Sequence, residues 1–150
     1  MELIPAIDLK EGRCVRLFQG DFAAETVYAD DPEIIMDRYQ AFGAARIHVV
    51  DLDGARDGAL ANRAAILKLA SRKGVKLQVG GGLRTFDRVR HLLDAGIERA
   101  VIGSVAVNTP AVVARWFETL GPEKLVLAFD IRMDDAGTPR LTTHGWTEQS

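Results

Sequence analysis

The sequence predicts an α/β chain built around a parallel sheet. Three observations carry that expectation. Short apolar runs alternate with longer segments whose apolar residues recur at helical spacing. Each helical segment opens on a capping residue and is followed by a glycine. The strand runs are apolar nearly throughout, the pattern of strands buried on both faces. Two architectures satisfy these observations, a doubly wound open sheet and a (β/α)₈ barrel.

The first strand is expected over 3–9. A helix follows from the Asp31 cap, with Pro32 at its first position; Ile34, Ile35, Tyr39 and Phe42 lie at helical spacing and Gly43 stops it. The second strand is expected over 46–51. The next helix runs from an Asn62 cap through Ala65, Ile66, Leu69 and Ala70 to Gly74. A third strand over 75–79 leads to a helix from the Thr85 cap to Gly96. A fourth strand over 99–102 leads to a helix with Thr109 as cap, Pro110 in first position and Gly121 as its stop. A fifth strand is expected over 125–131.

An internal repeat favours the barrel. Ala6-Ile7-Asp8-Leu9-Lys10 matches Ala128-Phe129-Asp130-Ile131-Arg132, with Asp8 and Asp130 standing 122 residues apart. The fifth strand then repeats the first after four βα units. Two such halves make roughly 240–250 residues, the length of a complete barrel. Residues 1–150 are therefore expected to be an incomplete TIM barrel: the first four βα units, strand five and its loop. Taken alone, such a chain has open sheet edges and an uncovered face, and is expected to self-associate. The complete barrel is expected to be a monomer.

Composition narrows the function. The chain has 150 residues, 47% hydrophobic and 27% charged, with a net charge of −2. That suits one globular domain and supplies no basic surplus for nucleic acid. The single cysteine, Cys14, forms no internal disulfide and fits a reducing compartment. Met1-Glu2-Leu3-Ile4-Pro5 lacks the features of a signal peptide, and the uncharged stretch 100–114 is broken by Gly103, Ser104, Asn108, Thr109 and Pro110. A cytoplasmic protein without a membrane span is expected.

In a barrel, chemistry gathers where strands end. Asp8 and Asp130 form the sharpest pair: two carboxylates facing a substrate divide labour as base and acid. The simpler reading of either alone is a loop cap or an ion pair. Gly80-Gly81-Gly82 with Arg84 and the Thr85 cap resembles an anion cradle, to which Gly103-Ser104 adds donors; the alternative is a tight turn requiring positive φ. The spacing is neither a Walker loop nor a dinucleotide fingerprint. His48, His91 and His144 lack metal-ligand spacing, and Asp51 with Asp53 reads as a loop-ordering pair, so no metal is expected. Trp116 reads as core, Trp146 as a surface or stacking aromatic. Cys14 has no evident base beside it, which argues against a nucleophile.

Together these residues resemble a known family. The stretch Ile4-Pro5-Ala6-Ile7-Asp8-Leu9-Lys10-Glu11-Gly12-Arg13-Cys14-Val15-Arg16-Leu17-Phe18-Gln19-Gly20 closely resembles the opening of the phosphoribosylformimino-5-aminoimidazole carboxamide ribotide isomerases of histidine biosynthesis. So do His48-Val49-Val50-Asp51-Leu52-Asp53-Gly54-Ala55, Gln78-Val79-Gly80-Gly81-Gly82-Leu83-Arg84 and Ala100-Val101-Ile102-Gly103-Ser104. The resemblance implies a (β/α)₈ barrel and a cofactor-free Amadori rearrangement of a bis-phosphorylated aminoaldose to an aminoketose. It assigns Asp8 as general base and Asp130 as general acid. It places Gly81, Gly82, Gly103 and Ser104 at one phosphate, Arg16, Gly20, His48 and Arg84 among the substrate contacts, and Trp146 against the imidazole. The loops that would hold the other phosphate fall outside this sequence. The cyclase subunit of imidazole glycerol phosphate synthase is a sister barrel, but that family opens more like Cys-Leu-Asp where this chain has Ala6-Ile7-Asp8. A bifunctional isomerase also acting on phosphoribosylanthranilate, and an inactive phosphate-binding half-barrel, are the remaining alternatives.

Overall fold

A computed structural model describes residues 1–58, 60–143 and 148–149. Strand β1 (Ala6–Lys10) is followed by the hairpin β2 (Arg13–Phe18) and β3 (Asp21–Ala29). Then come α1 (Pro32–Ala41), β4 (Arg46–Asp51), the short α2 (Leu52–Asp57), α3 (Arg63–Ala70), β5 (Lys76–Gly80) and α4 (Phe86–Asp94). They are followed by β6 (Arg99–Ile102), the short α5 (Ser104–Asn108), α6 (Pro110–Leu120), a 3₁₀ turn and β7 (Leu125–Leu127). The last elements are β8 (Asp130–Met133), β9 (Pro139–Thr143) and β10 (Glu148–Gln149).

The main sheet has the order β3-β2-β1-β4-β5-β6-β7, and β1, β4, β5, β6 and β7 pair in parallel. Each new parallel strand is added at the same edge. A doubly wound sheet would reverse direction at a switch point. The continuous order is that of the opening part of a (β/α)₈ barrel.

Register assigns every side chain to a face. Asp8 pairs with Val50, His48 with Gln78, and Gln78 with Arg99, so these residues share one face. Ile7, Leu9, Ile47, Val49, Leu77, Val79, Ala100 and Ile102 take the other, where they meet Ile35, Met36, Ile66, Leu69, Val89, Leu92, Val113 and Trp116 of the helices in the core. Trp116 is core, as expected; its ring lies 6.1 Å from that of Phe86. The expectation of strands buried on both faces is corrected: the helices cover one face, and the polar residues occupy the other. Interspersed polar residues such as His48 and Gln78 were the signal of that division.

Other expectations also change. β1 begins three residues later than expected. The hairpin over 13–29 was not anticipated, although its turns are the dipeptides Glu11-Gly12 and Gln19-Gly20, all four residues with positive φ. That is the turn geometry matching the twist of paired strands. The expected single strand over 125–131 is two. Ala128 still donates its N–H to the Ile102 carbonyl at 2.9 Å, after which the chain leaves the sheet because β6 has already turned into α5. Asp130 then opens β8, which pairs antiparallel with β9 in a separate three-stranded sheet. Asp31 caps α1 by accepting from Glu33 N–H at 3.0 Å. Asn62, Thr85 and Thr109 make no side-chain cap bond, against expectation.

Candidate active site on the open sheet face

The parallel strands end together, so their following loops gather at one rim. Asp8 is half-buried on the open face in β1. Burial pushes its carboxyl above the ordinary carboxylate value, against the opposing charges of Arg16 and His48. A raised carboxylate is the more basic one, suited to taking a proton from carbon. His48 stands on the adjacent strand β4. Burial holds its imidazole below its ordinary value, against a backbone hydrogen bond with Gln78 and the charge of Asp8. Its Nδ1 lies 3.4 Å from Gln78 Nε2. Arg16 is exposed on β2, and Gly20 forms the tip of the β2–β3 turn.

Cys14, buried beside this site, has its thiol pushed up to about 11 by burial and then by the Asp8 charge. It is a neutral thiol at physiological pH, not a nucleophile.

The glycine run divides by role. Gly81 and Gly82 have φ of +99° and +71° and make the turn out of β5. A Cβ on Gly81 would lie 2.1 Å from the Asp51 carbonyl oxygen, so the loop after β5 packs directly on the end of β4. Arg88 donates to the carbonyls of Gly82 and Gly58, and Arg84 donates to the Ala55 carbonyl at 2.8 Å. Arg84 is exposed, with its guanidinium over Gly58. These contacts bind the loops after β4 and β5 into one unit. Gly103 precedes α5, and the half-buried Ser104 is that short helix's first residue.

Asp51 and Asp53 order loops, as the sequence suggested. Asp51 accepts from Gly54 N–H at 2.8 Å, from the Asn62 amide at 2.7 Å and from Asn62 N–H at 3.1 Å. Asp53 accepts from Glu11 N–H at 2.7 Å and from the Asn62 amide at 2.9 Å. Asn62 in turn accepts from Gly12 N–H at 2.7 Å. One buried amide thus ties the turn after β1 to the loop after β4. Among the described residues, no group of three His, Cys, Asp or Glu side chains is arranged to hold a metal. Trp146 and His144 lie outside the described residues.

The structure brings Asp8, His48 and Arg16 together, and separately the loop glycines with Arg84. Asp130 is exposed at the head of β8, in the other sheet, rather than on a strand continuous with β7.

Residues 2–150 match the family described as histidine biosynthesis protein. The chain belongs to that family. It is 49% identical over 148 residues to the phosphoribosyl imidazole-4-carboxamide isomerase of Idiomarina loihiensis, covering 99% of this chain and 60% of that protein. It is 49% identical over its whole length to the isomerase of the same name from Chloroflexus aggregans, again 60% of that protein. The one from Tolumonas auensis is 47% identical over 99% of this chain and 60% of its own length. The chain spans about 60% of the length of these relatives.

Sequence reasoning missed Asn62 as a hub, Arg88 as a loop clamp and Gln78 as the neighbour of His48. Asn62 was visible only as a cap, whereas its partners come from residues up to 53 positions away. Gln78 left a signal, a lone amide between the apolar Leu77 and Val79. Among the described residues no helix is long and apolar enough to cross a membrane.

Proposed function

We propose that this chain supplies the base and one phosphate site of an aldose–ketose isomerase of histidine biosynthesis. The substrate is the bis-phosphorylated aminoaldose formed by a phosphoribosylformimino aminoimidazole carboxamide ribonucleotide. The observation that carries the reading is Asp8, half-buried with a raised carboxyl on the open sheet face, in a chain 49% identical to relatives bearing that isomerase name. Those names favour the isomerase over the cyclase.

The reaction needs an acid and a base and no redox partner, because oxidation at C2 is balanced by reduction at C1. Asp130, in the role of general acid, delivers a proton to the ribose ring oxygen. The C1–O bond breaks, and the nitrogen lone pair closes a C1=N bond. Asp8 then removes the C2 proton; the C–H electron pair forms C1=C2, and nitrogen regains its lone pair. Protonation at C1 with loss of the C2 hydroxyl proton leaves the ketone. The loop glycines Gly81 and Gly82 with Gly103 and Ser104 would present backbone N–H groups to one phosphate. Arg16, Gly20, His48 and Arg84 would contact the substrate, and Trp146 would stack on its imidazole. Asp130 and Trp146 take their roles from the family resemblance. A cytoplasmic setting is part of the same proposal.

The test is turnover of the aminoaldose, with the aminoketose identified by NMR. It is run on this chain alone and on this chain joined to the remaining part of the Idiomarina loihiensis relative. The joined protein is expected to turn over. Failure of a folded joined protein to do so would overturn the reading. Alone, the chain is expected to self-associate through the β7 edge and the exposed apolar side chains of Phe129, Ile131 and Met133, the last 64% exposed. Sedimentation as a monomer at high concentration would contradict that.

A further inference from the structure

Gly80 is the one glycine of its run that no turn explains. Its neighbours Gly81 and Gly82 have positive φ, whereas Gly80 ends β5 with ordinary strand backbone. What distinguishes it is space. A Cβ built there would press on Val101 Cβ at 3.3 Å and would touch His48 Cε1 at an ordinary contact distance of 3.6 Å, so any longer side chain would meet the ring. Two positions earlier on the same strand and the same face, Gln78 is the register partner of His48 and places its amide at the ring's Nδ1. The imidazole of β4 therefore lies across β5, with an amide at one ring atom and a bare backbone under another.

We propose that Gln78 and Gly80 form a seat that fixes the His48 ring: Gln78 donates to Nδ1, which leaves the ring proton on Nε2, and Gly80 keeps any side chain longer than a methyl group away from the ring. Both are positioning residues, acting through His48. Which ring nitrogen carries the proton is set by the partner of the other. As a statement about catalysis this rests on the isomerase proposed above; as a statement about the ring it does not.

The charged groups around the ring are few. Asp8 comes from β1, with Lys10 further along the same face and engaged by Glu25 of β3; Arg16 comes from β2 and Arg99 from β6 beside Gln78. β5 contributes the neutral Gln78 and Gly80 together with Lys76, two positions before Gln78; Lys76 and its register partner Arg46 of β4 are both paired with Glu98. Changing Gln78 therefore changes the ring's nearest partner and leaves those charges in place.

The test is a long-range ¹H–¹⁵N spectrum of the His48 ring across pH, assigned with His48→Gln. The parent is expected to show one dominant tautomer, with Nε2 protonated. Gln78→Leu is expected to give a mixture, and Gly80→Val likewise, because a displaced ring loses its amide partner. Gln78→Glu is expected to raise the His48 midpoint by about one pH unit and move the neutral ring's proton to Nδ1. If the folded Leu and Glu variants keep the parent's tautomer and midpoint, the seat is overturned. In the joined protein, Gln78→Leu is expected to lower kcat on the order of tenfold with little change in KM. A moved tautomer with unchanged kcat in an active enzyme would leave the seat standing and overturn its catalytic role. Absence of turnover in the parent would instead count against the isomerase reading.

Discussion

The loop after β5 rests on the end of β4 at Gly81, where even a methyl group would sit 2.1 Å from the Asp51 carbonyl oxygen. That contact, together with φ of +99°, makes glycine obligatory there. Gly81→Ala is expected to destabilise the fold by about 3 kcal/mol or more, through both clash and backbone strain. Gly12 is the control: its φ is +78°, but nothing lies within 4 Å of an added Cβ. Gly12→Ala is expected to cost about 1–2 kcal/mol. Urea unfolding of both variants checks the contrast; equal costs would contradict it.

Asn62 is expected to behave as a structural centre. Its amide donates to Asp51 and Asp53 out of water, and its oxygen receives the half-buried Gly12 N–H. Asn62→Ala leaves buried carboxylates short of donors and is expected to cost about 2–4 kcal/mol. Asn62→Asp sets a third carboxylate against the other two and is expected to cost more at neutral pH, with recovery on acidification. Thermal melts against pH would show the recovery; a flat difference would refute the assignment.

At the opposite end of the strands lies a separate charge cluster. Arg46, 8% exposed, donates to Glu98 at 2.7 Å, and Lys76 pairs with Glu98 at 2.8 Å. The Arg46 hydrogen bond chiefly holds the Glu98 carboxyl at about 2, below its ordinary 4.5. The folded value is the lower one, so the stabilisation is complete above the unfolded value of 4.5 and is lost as pH falls from there towards 2. Discounted for partial solvent exposure, it amounts to about 1–3 kcal/mol. Glu98→Gln is expected to lose that amount at neutral pH and to flatten the acid limb of the stability curve. An unchanged acid limb would contradict the role.

Cys14 is expected to react slowly. A buried thiol titrating at about 11 is almost wholly protonated at neutral pH. Modification by a disulfide reagent should track unfolding; rapid labelling of the folded chain would contradict its packing.

The sequence's legibility followed physical rules. β4 and β6 were read at their observed bounds because Ile47, Val49, Ala100 and Ile102 give compact apolar runs. α1 and α6 were legible because Pro32 and Pro110 stand at their starts and Gly43 and Gly121 just beyond their ends. The β2–β3 hairpin escaped because Arg13, Arg16 and Glu25 break its apolar pattern, although Gln19-Gly20 signalled its turn. α2 and α5 are too short to show a helical period. The β7–β8 break depends on where β6 stops supplying partners, which no local pattern encodes. At the site, Asp8 and the loop glycines were legible from their places at strand ends. Gln78, Arg88 and Asn62 were not, because their roles are contacts with backbone and side chains from other elements.

The most direct test of the central claim is Asp8→Asn, measured for turnover and stability in the joined protein. Burial disfavours the Asp8 carboxylate, so the neutral amide is expected to leave the melting temperature unchanged or slightly higher. Turnover is expected to fall by about 10²–10⁴-fold, the usual contribution of a positioned base. Turnover within about tenfold of the parent in a folded Asp8→Asn protein would contradict the assignment of Asp8 as the base.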